Sequence, residues 1–145
     1  TLATLDQFTH GATLNHKEEA KMTDGIVDNL QIKVADINNR ITSLSGGNQQ
    51  KVVLGKWLNS KPDILMFSNP TQGVDVGAKN EIYRIIMELA KSGVAIIVTS
   101  GEAQEIIKIC DRSIIMYHGR IRGEIDRSEC TEESLMILST GGSLS

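Results

Sequence analysis

Two short apolar runs, ILMF at 64–67 and VAIIVT at 94–99, constrain the fold of this chain most strongly. Each is shorter than a typical helix and lacks the alternation of a strand with one wet face. Uninterrupted runs of this kind read as strands covered on both faces, the parallel-sheet type. The segment between them agrees, since from Val76 to Lys91 the residues Ile82, Ile85, Ile86 and Leu89 share one helical face. Strand, helix, strand in that order is α/β logic.

The remaining elements fit around this unit. Residues 1–14 are weakly patterned and read as loop or a frayed start. From Lys17 to Leu30, Ala20, Ile26 and Leu30 sit among charges, which predicts an amphipathic helix weakened by Gly25. Residues 31–44 read as a linker with one or two short extended pieces. After Ser-Gly-Gly comes a strong helix, NQQKVVLGKWLNS, in which Val53 and Trp57, and Leu54 and Leu58, lie one turn apart. Trp57 reads there as a core anchor and Lys51 as a solvated lysine, with approach to a phosphate as the other reading. Lys61-Pro62 stops that helix. A helix over 103–109 leads to SIIMY, and His118-Gly119 turns this strand into RIRGEID, a hairpin. Thr131 caps a last helix, with Glu132 and Glu133 in its first turn.

Composition narrows the class. A chain of 145 residues, 40% of them hydrophobic, suits one globular domain with a real core. Its net charge of -3 and scattered Lys and Arg give no electrostatic footprint for nucleic acid. Cys110 and Cys130 suggest neither a metal knuckle nor a disulfide framework, which favours a reducing compartment. No apolar stretch approaches the roughly 18 residues that span a bilayer, and no signal peptide is evident. The first residue is Thr, which points to a processed product or a piece of something longer.

LSGGNQQKV, at 44–52, is the most informative motif. Ser45 reads as an N-cap, and the two glycines leave backbone N–H groups uncovered at a helix N-terminus, ready for an anion such as phosphate. An ordinary capped helix after a glycine turn is the plain alternative. About twenty residues on come the strand ILMF, a Pro-Thr turn and GVDVGAK at 73–79. This order closely resembles the ATP-binding-cassette (ABC) ATPases: signature motif, Walker B strand, D-loop. The wording LSGGNQQKVVLGKWL followed by NPTQGVDVGAKNEIY resembles the second nucleotide-binding half of fused importer ATPases for ribose, galactose, xylose and arabinose, over about residues 25–140.

The resemblance implies a fold and a set of roles. The fold is the C-terminal part of an ABC-type P-loop NTPase domain: a partial parallel sheet flanked by helices, part of the helical subdomain, and a small C-terminal antiparallel hairpin. Residues 1–60 are then helical subdomain ending in the signature and its helix, and 61–145 the second half of the catalytic core. Two such halves face each other with ATP between the P-loop of one and the signature of the other. Ser45, Gly46 and Gly47 then contact the γ-phosphate held by a partner half, with Asn48 and Gln49 nearby. Gly73 and Asp75 form the D-loop at the interface, where Asp75 also reads as a plain helix cap.

Several family features are missing. The P-loop pattern GxxxxGK[ST] occurs nowhere in these residues, so the resemblance implies a C-terminal piece of a longer ATPase, inactive alone and with no cofactor expected on it. The Walker B acids, one holding Mg²⁺ and one activating water, correspond to Ser68 and Asn69. A serine brings no charge to hold the ion. An Asn cannot take a proton, and general-base help is worth about 10²–10⁴ in rate. Asp63, at the far end of the strand, is some 15 Å away at about 3.3 Å per residue. The switch-histidine position falls at Gly101. His10 and His16 lie elsewhere, and His118 reads as a solvated turn residue.

The sequence therefore predicts a half-site that completes a partner's ATP site while its own is degenerate. Its partners by resemblance are another ATPase half, membrane permease subunits and, indirectly, a sugar-binding protein, at the cytoplasmic face of the membrane. ATP and Mg²⁺ belong only to the complete assembly, and no metal ligand set is assigned to this chain. The alternatives are a regulatory module that keeps the fold without turnover, and a DNA-repair or chromosome ATPase, against which the acidic balance argues. A core without its P-loop strand is expected to expose the edge and face of its sheet.

Overall fold

The computed structural model describes residues 9, 10 and 13–143. In chain order they form β1 (Thr9–His10), β2 (Thr13–Leu14), α1 (His16–Asn29), a single 3₁₀ turn at Ile41–Ser43, α2 (Gly46–Leu58), β3 (Ile64–Ser68), α3 (Val76–Lys91), β4 (Ala95–Thr99), α4 (Ala103–Ile109), β5 (Arg112–Tyr117), β6 (Arg120–Asp126) and α5 (Glu132–Ser139). They fall into two compact units: the described residues up to Leu65 with Thr71–Ala95, and Met66–Pro70 with Ile96 onward. Among the described residues, no helix is long and apolar enough to cross a membrane.

In the first unit α1 and α3 both lie against α2. α1 begins at the cap Asn15, whose side chain accepts from Glu18 N–H. α2 approaches its neighbours closely because it presents glycines to them. A Cβ built on Gly55 would collide with Ile26 of α1, and one on Gly47 would collide with Ala78 of α3. α3 buries Ile82, Ile85 and Ile86 of the stripe expected from the sequence, together with Tyr83, while Leu89 is only partly buried. The linker carries no strand, and its regular piece is the 3₁₀ turn at Ile41–Ser43 instead of the extended pieces expected.

β3 and β4 pair with each other. Asp63 C=O accepts from Ala95 N–H at one end (2.9 Å) and Thr99 C=O accepts from Asn69 N–H at the other (2.7 Å). Both chains advance in the same sense between these bonds, so the pair is parallel. The full cover read from their apolar runs is not present. Leu65 is buried, whereas Ile64, Met66 and Ile97 are exposed, Met66 by 74%. Of the exposure expected for such a partial sheet, the structure shows apolar side chains laid open at Ile64, Met66 and Ile97.

The second unit is built on the β5–β6 hairpin, paired antiparallel from Arg112↔Asp126 to Tyr117↔Arg120 with an irregularity at Ile115/Met116. Its two-residue turn has His118 at φ +47 and Gly119 at φ +73, the sense that matches strand twist. Ile115, Ile125, Cys130 and Leu138 form its buried cluster, packed by Ile106, Ile107 and Leu135. Thr131 caps α5 in a reciprocal box: its Oγ1 accepts from Ser134 N–H (3.1 Å) while Ser134 Oγ accepts from Thr131 N–H (2.9 Å).

Candidate functional site

The LSGGNQQ segment forms the N-terminal turn of α2. Ser45 occupies the cap position in extended conformation, with Ser45 and Gly46 exposed and Gly47 buried. The cap differs in chemistry from the expectation. Ser45 Oγ makes no bond to a first-turn N–H and accepts instead from Asn48 Nδ2 at 2.9 Å. The amide three residues on competes successfully because it is itself held from outside: Asn48 Oδ1 accepts from Lys33 N–H at 3.0 Å. Gln49 is anchored too, donating from Nε2 to Leu44 C=O at 2.8 Å. Asn48 and Gln49 therefore brace the turn with their side chains. The first N–H groups of a helix have no intrahelical acceptor and carry the positive end of its dipole, so an exposed first turn suits an anion.

A second turn, PTQGVD, lies against the first. Val74 N–H donates to Thr71 C=O at 3.2 Å, and Gly73 takes φ +72, which glycine adopts without strain. Thr71 is fully buried, with Oγ1 at 3.4 Å from Tyr83 Oη. Asp75 caps α3, its Oδ1 accepting from Ala78 N–H at 3.0 Å, so the plain cap reading of Asp75 holds. A Cβ placed on Gly46 would lie 3.5 Å from Gly73 C=O, and α2 touches α3 through Gly47 and Ala78. Ser45–Gly47 and Gly73–Asp75 are thus neighbours within one unit.

One turn further along both helices, Lys51 and Glu81 form an ion pair at 2.6 Å. Lys51 is 2% exposed, which overturns the reading of a solvated lysine. It also donates to Gln31 C=O at 3.1 Å. The hydrogen bond and charge of Lys51 hold the Glu81 carboxyl below its ordinary range, with Lys33 and Arg84 adding to the effect. Gln31 stands at φ +50, and its Oε1 accepts from Arg84 Nη2 at 3.1 Å. Trp57 is not a core anchor. It is 51% exposed, with Lys56 Nζ 4.9 Å over its ring.

In the second unit, Ser68 ends β3 and Asn69 follows at φ +46, both exposed. Asn69 Oδ1 accepts from Gly101 N–H at 3.4 Å, so the structure brings positions 69 and 101 together. Glu102 N–H bonds Ser100 Oγ at 3.0 Å. Asp63 belongs to the opposite end of β3. A neutral hydroxyl and an amide whose oxygen already accepts do not make a donor set suited to Mg²⁺. Among the described residues no three His, Cys, Asp or Glu side chains converge as metal ligands.

Comparison places these features in a class. No family model matches the chain. Its fold is that of part of an ATP-binding cassette. It superimposes on a bacterial ABC transporter cassette solved as a dimer with a TM-score of 0.69 at 22% identity, over 85% of this chain and 53% of that one. A second ATP-binding cassette of an ABC transporter matches at 0.72 and 21%, over 90% and 50%. The sequence relatives are more specific. The ribose import ATP-binding protein RbsA of Bacillus subtilis is 47% identical over 97% of this chain and 29% of its own length. The xylose import protein XylG of Geobacillus kaustophilus is 45% identical over 98% and 28%, and the L-arabinose transport protein AraG of Geobacillus stearothermophilus 44% over 97% and 27%. The chain is a homologue of the sugar-import ATP-binding proteins of ABC transporters, and it spans less than a third of the length of these relatives.

Proposed function

We propose that this chain is the signature-donating part of the ATP-binding subunit of a carbohydrate importer. In this reading residues 1–60 belong to the helical subdomain and 61–145 to the second half of the catalytic core. LSGGNQQ is the signature and Gly73–Asp75 the D-loop of an ATP site whose P-loop and acids come from a partner half. The observation that carries it is the exposed Ser45–Gly46 start of α2 set beside the Gly73–Asp75 turn in one unit.

The chemistry follows from the residues. With Asn48 Nδ2 occupying a lone pair of Ser45 Oγ, the hydroxyl proton remains to donate to a phosphate oxygen. The Gly46 and Gly47 N–H groups add donors at the positive helix end. Asp75 caps α3 with Oδ1, and its second carboxylate oxygen serves as an acceptor across the interface. Ser68 and Asn69 supply neither charge nor base, so this chain's own half-site does not hydrolyse. Closure on ATP would act on permease subunits at the cytoplasmic membrane face, with a sugar-binding protein upstream.

The test is reconstitution with an ATPase half that supplies a P-loop and both acids. ATP hydrolysis should appear on mixing, and Gly46→Asp, which puts negative charge where phosphate sits, should lower it by about 10²-fold or more. If hydrolysis does not respond to the chain at all, the regulatory-module reading replaces this one. Salt-sensitive DNA binding would instead favour the chromosome-type ATPases.

A further inference from the structure

The signature and D-loop turns are exposed and short, yet a phosphate site demands donors held to a fraction of an ångström. Two contacts join the elements that carry them. The first is steric: Gly47 and Ala78 touch so closely that no Cβ fits on Gly47. The second is the ion pair of Lys51 and Glu81, four residues after Gly47 on α2 and three after Ala78 on α3. One contact is a pivot, whereas two contacts one turn apart fix the rotation of one helix start against the other. Lys51 also donates to Gln31 C=O, and the same linker holds Asn48 through Lys33 N–H. Gln31 in turn bonds Arg84 on α3, so the linker is tied to both helices.

We infer that Lys51 is a positioning residue which, through Glu81 and Gln31, locks the Ser45–Gly47 and Gly73–Asp75 turns into one rigid body. A shift of the D-loop turn then moves the signature turn with it, and the site opens or closes as a unit. The inference rests on the proposed function for the names of the turns, but the coupling itself is a property of this chain. A buried lysine whose acid partner is removed is left uncompensated, so the lock breaks from either side.

The test is hydrogen–deuterium exchange on the intact protein that carries this chain, comparing Lys51→Met, Glu81→Gln and the double variant. Lys51→Met leaves behind only the half-exposed Glu81 carboxylate and no buried charge, so it keeps the fold if Glu81→Gln does not. Each single variant should raise exchange together at 49–52 and 78–81, the first amides of the two helices that have acceptors, by roughly tenfold or more. The double variant should add little beyond either single one, since both break one lock. Lys51→Arg, which can reach both partners, should restore protection in both segments. In the reconstituted ATPase, Lys51→Met should lower kcat more than it raises KM, with Lys51→Arg recovering it. Exchange rising in one segment alone, rising evenly over the whole unit, or adding up in the double variant overturns the lock. Absence of ATPase with unaltered exchange coupling would count against the proposed function and leave the lock standing.

Discussion

Replacing Gly25 and Gly55 by alanine, one at a time, should produce opposite results from the same chemical change. Both glycines sit inside helices, Gly25 in α1 and Gly55 in α2. Each alanine gains about 0.5–1 kcal/mol, because glycine loses more backbone freedom on folding. At Gly25 a Cβ meets nothing within 4 Å, so that gain is kept whole. At Gly55 the Cβ runs into Ile26 Cγ2 and comes 3.2 Å from Leu30 Cδ1. These are the residues by which α1 lies on α2, so α1 must move or its side chains must leave their rotamers. Overpacking of this kind costs about 1–3 kcal/mol, which outweighs the propensity gain. The helix term is common to both variants, so their difference isolates the steric term at about 1–3 kcal/mol in favour of Gly25→Ala. Urea unfolding followed by fluorescence reads this directly, since Trp57 is the one tryptophan and lies on α2. A Gly55→Ala variant as stable as Gly25→Ala would refute the packing of α1 on α2 through Ile26.

The Glu81 carboxyl is held below its ordinary value near 4.5 by Lys51. A depressed folded pKa gives stability that is complete above the ordinary value and is lost as pH falls through the folded one. Unfolding measured from pH 7 to pH 3 should therefore lose stability below about pH 4.5 in part through this group, and Glu81→Gln should flatten that limb of the curve. Asp75→Ala removes the α3 cap and should cost about 1 kcal/mol in urea unfolding, while Asp75→Asn keeps most of it. Asn69→Ala should cost roughly 1 kcal/mol, because φ +46 is tolerated by Asn better than by Ala. Ser68→Asp with Asn69→Glu should raise hydrolysis only in an assembly that also supplies this half-site with a P-loop, by up to about 10²–10⁴ over the unaltered assembly.

Local chemistry wrote several elements legibly. The α3 stripe, the His118-Gly119 turn and the Thr131 cap each depend on neighbours in sequence, and each is found where the residues put it. The inward face of α2 was harder, because Val53/Trp57 and Leu54/Leu58 have the same spacing. Gly47 and Gly55 decide it: they sit on the Leu54 side, where small residues let α3 and α1 approach, and Trp57 is left outward. The same face contains Lys51, so Gly47, Lys51, Leu54, Gly55 and Leu58 together marked a lysine that had to be buried and paired. Its partner Glu81 was not readable, because it depends on how α3 crosses α2. The capture of Ser45 by Asn48 was hidden for the same reason, since the Lys33 N–H that steadies Asn48 arrives from the linker.

The candidate residues sort into two groups by what their side chains are already doing. Asn48, Gln49 and Asn69 are committed to hydrogen bonds within the chain, to Lys33 and Ser45, to Leu44, and to Gly101. Ser45, Gly46, Ser68 and Asp75 are exposed, and what they present is a hydroxyl, a backbone N–H, a second hydroxyl and a carboxylate. A committed side chain acts on a ligand only by setting where the backbone and its neighbours stand. Replacing Gln49 therefore disturbs the α2 turn through Leu44, whereas replacing Ser45 removes a donor outright. Asn69 belongs to the committed group by backbone as well as side chain, since its N–H is given to Thr99 and its φ lies in the left-handed region. An amide there joins the end of β3 to the loop after β4. That task asks only for an acceptor oxygen, which a carboxylate would supply as well as the amide, so the bond to Gly101 does not by itself require a neutral side chain at this position.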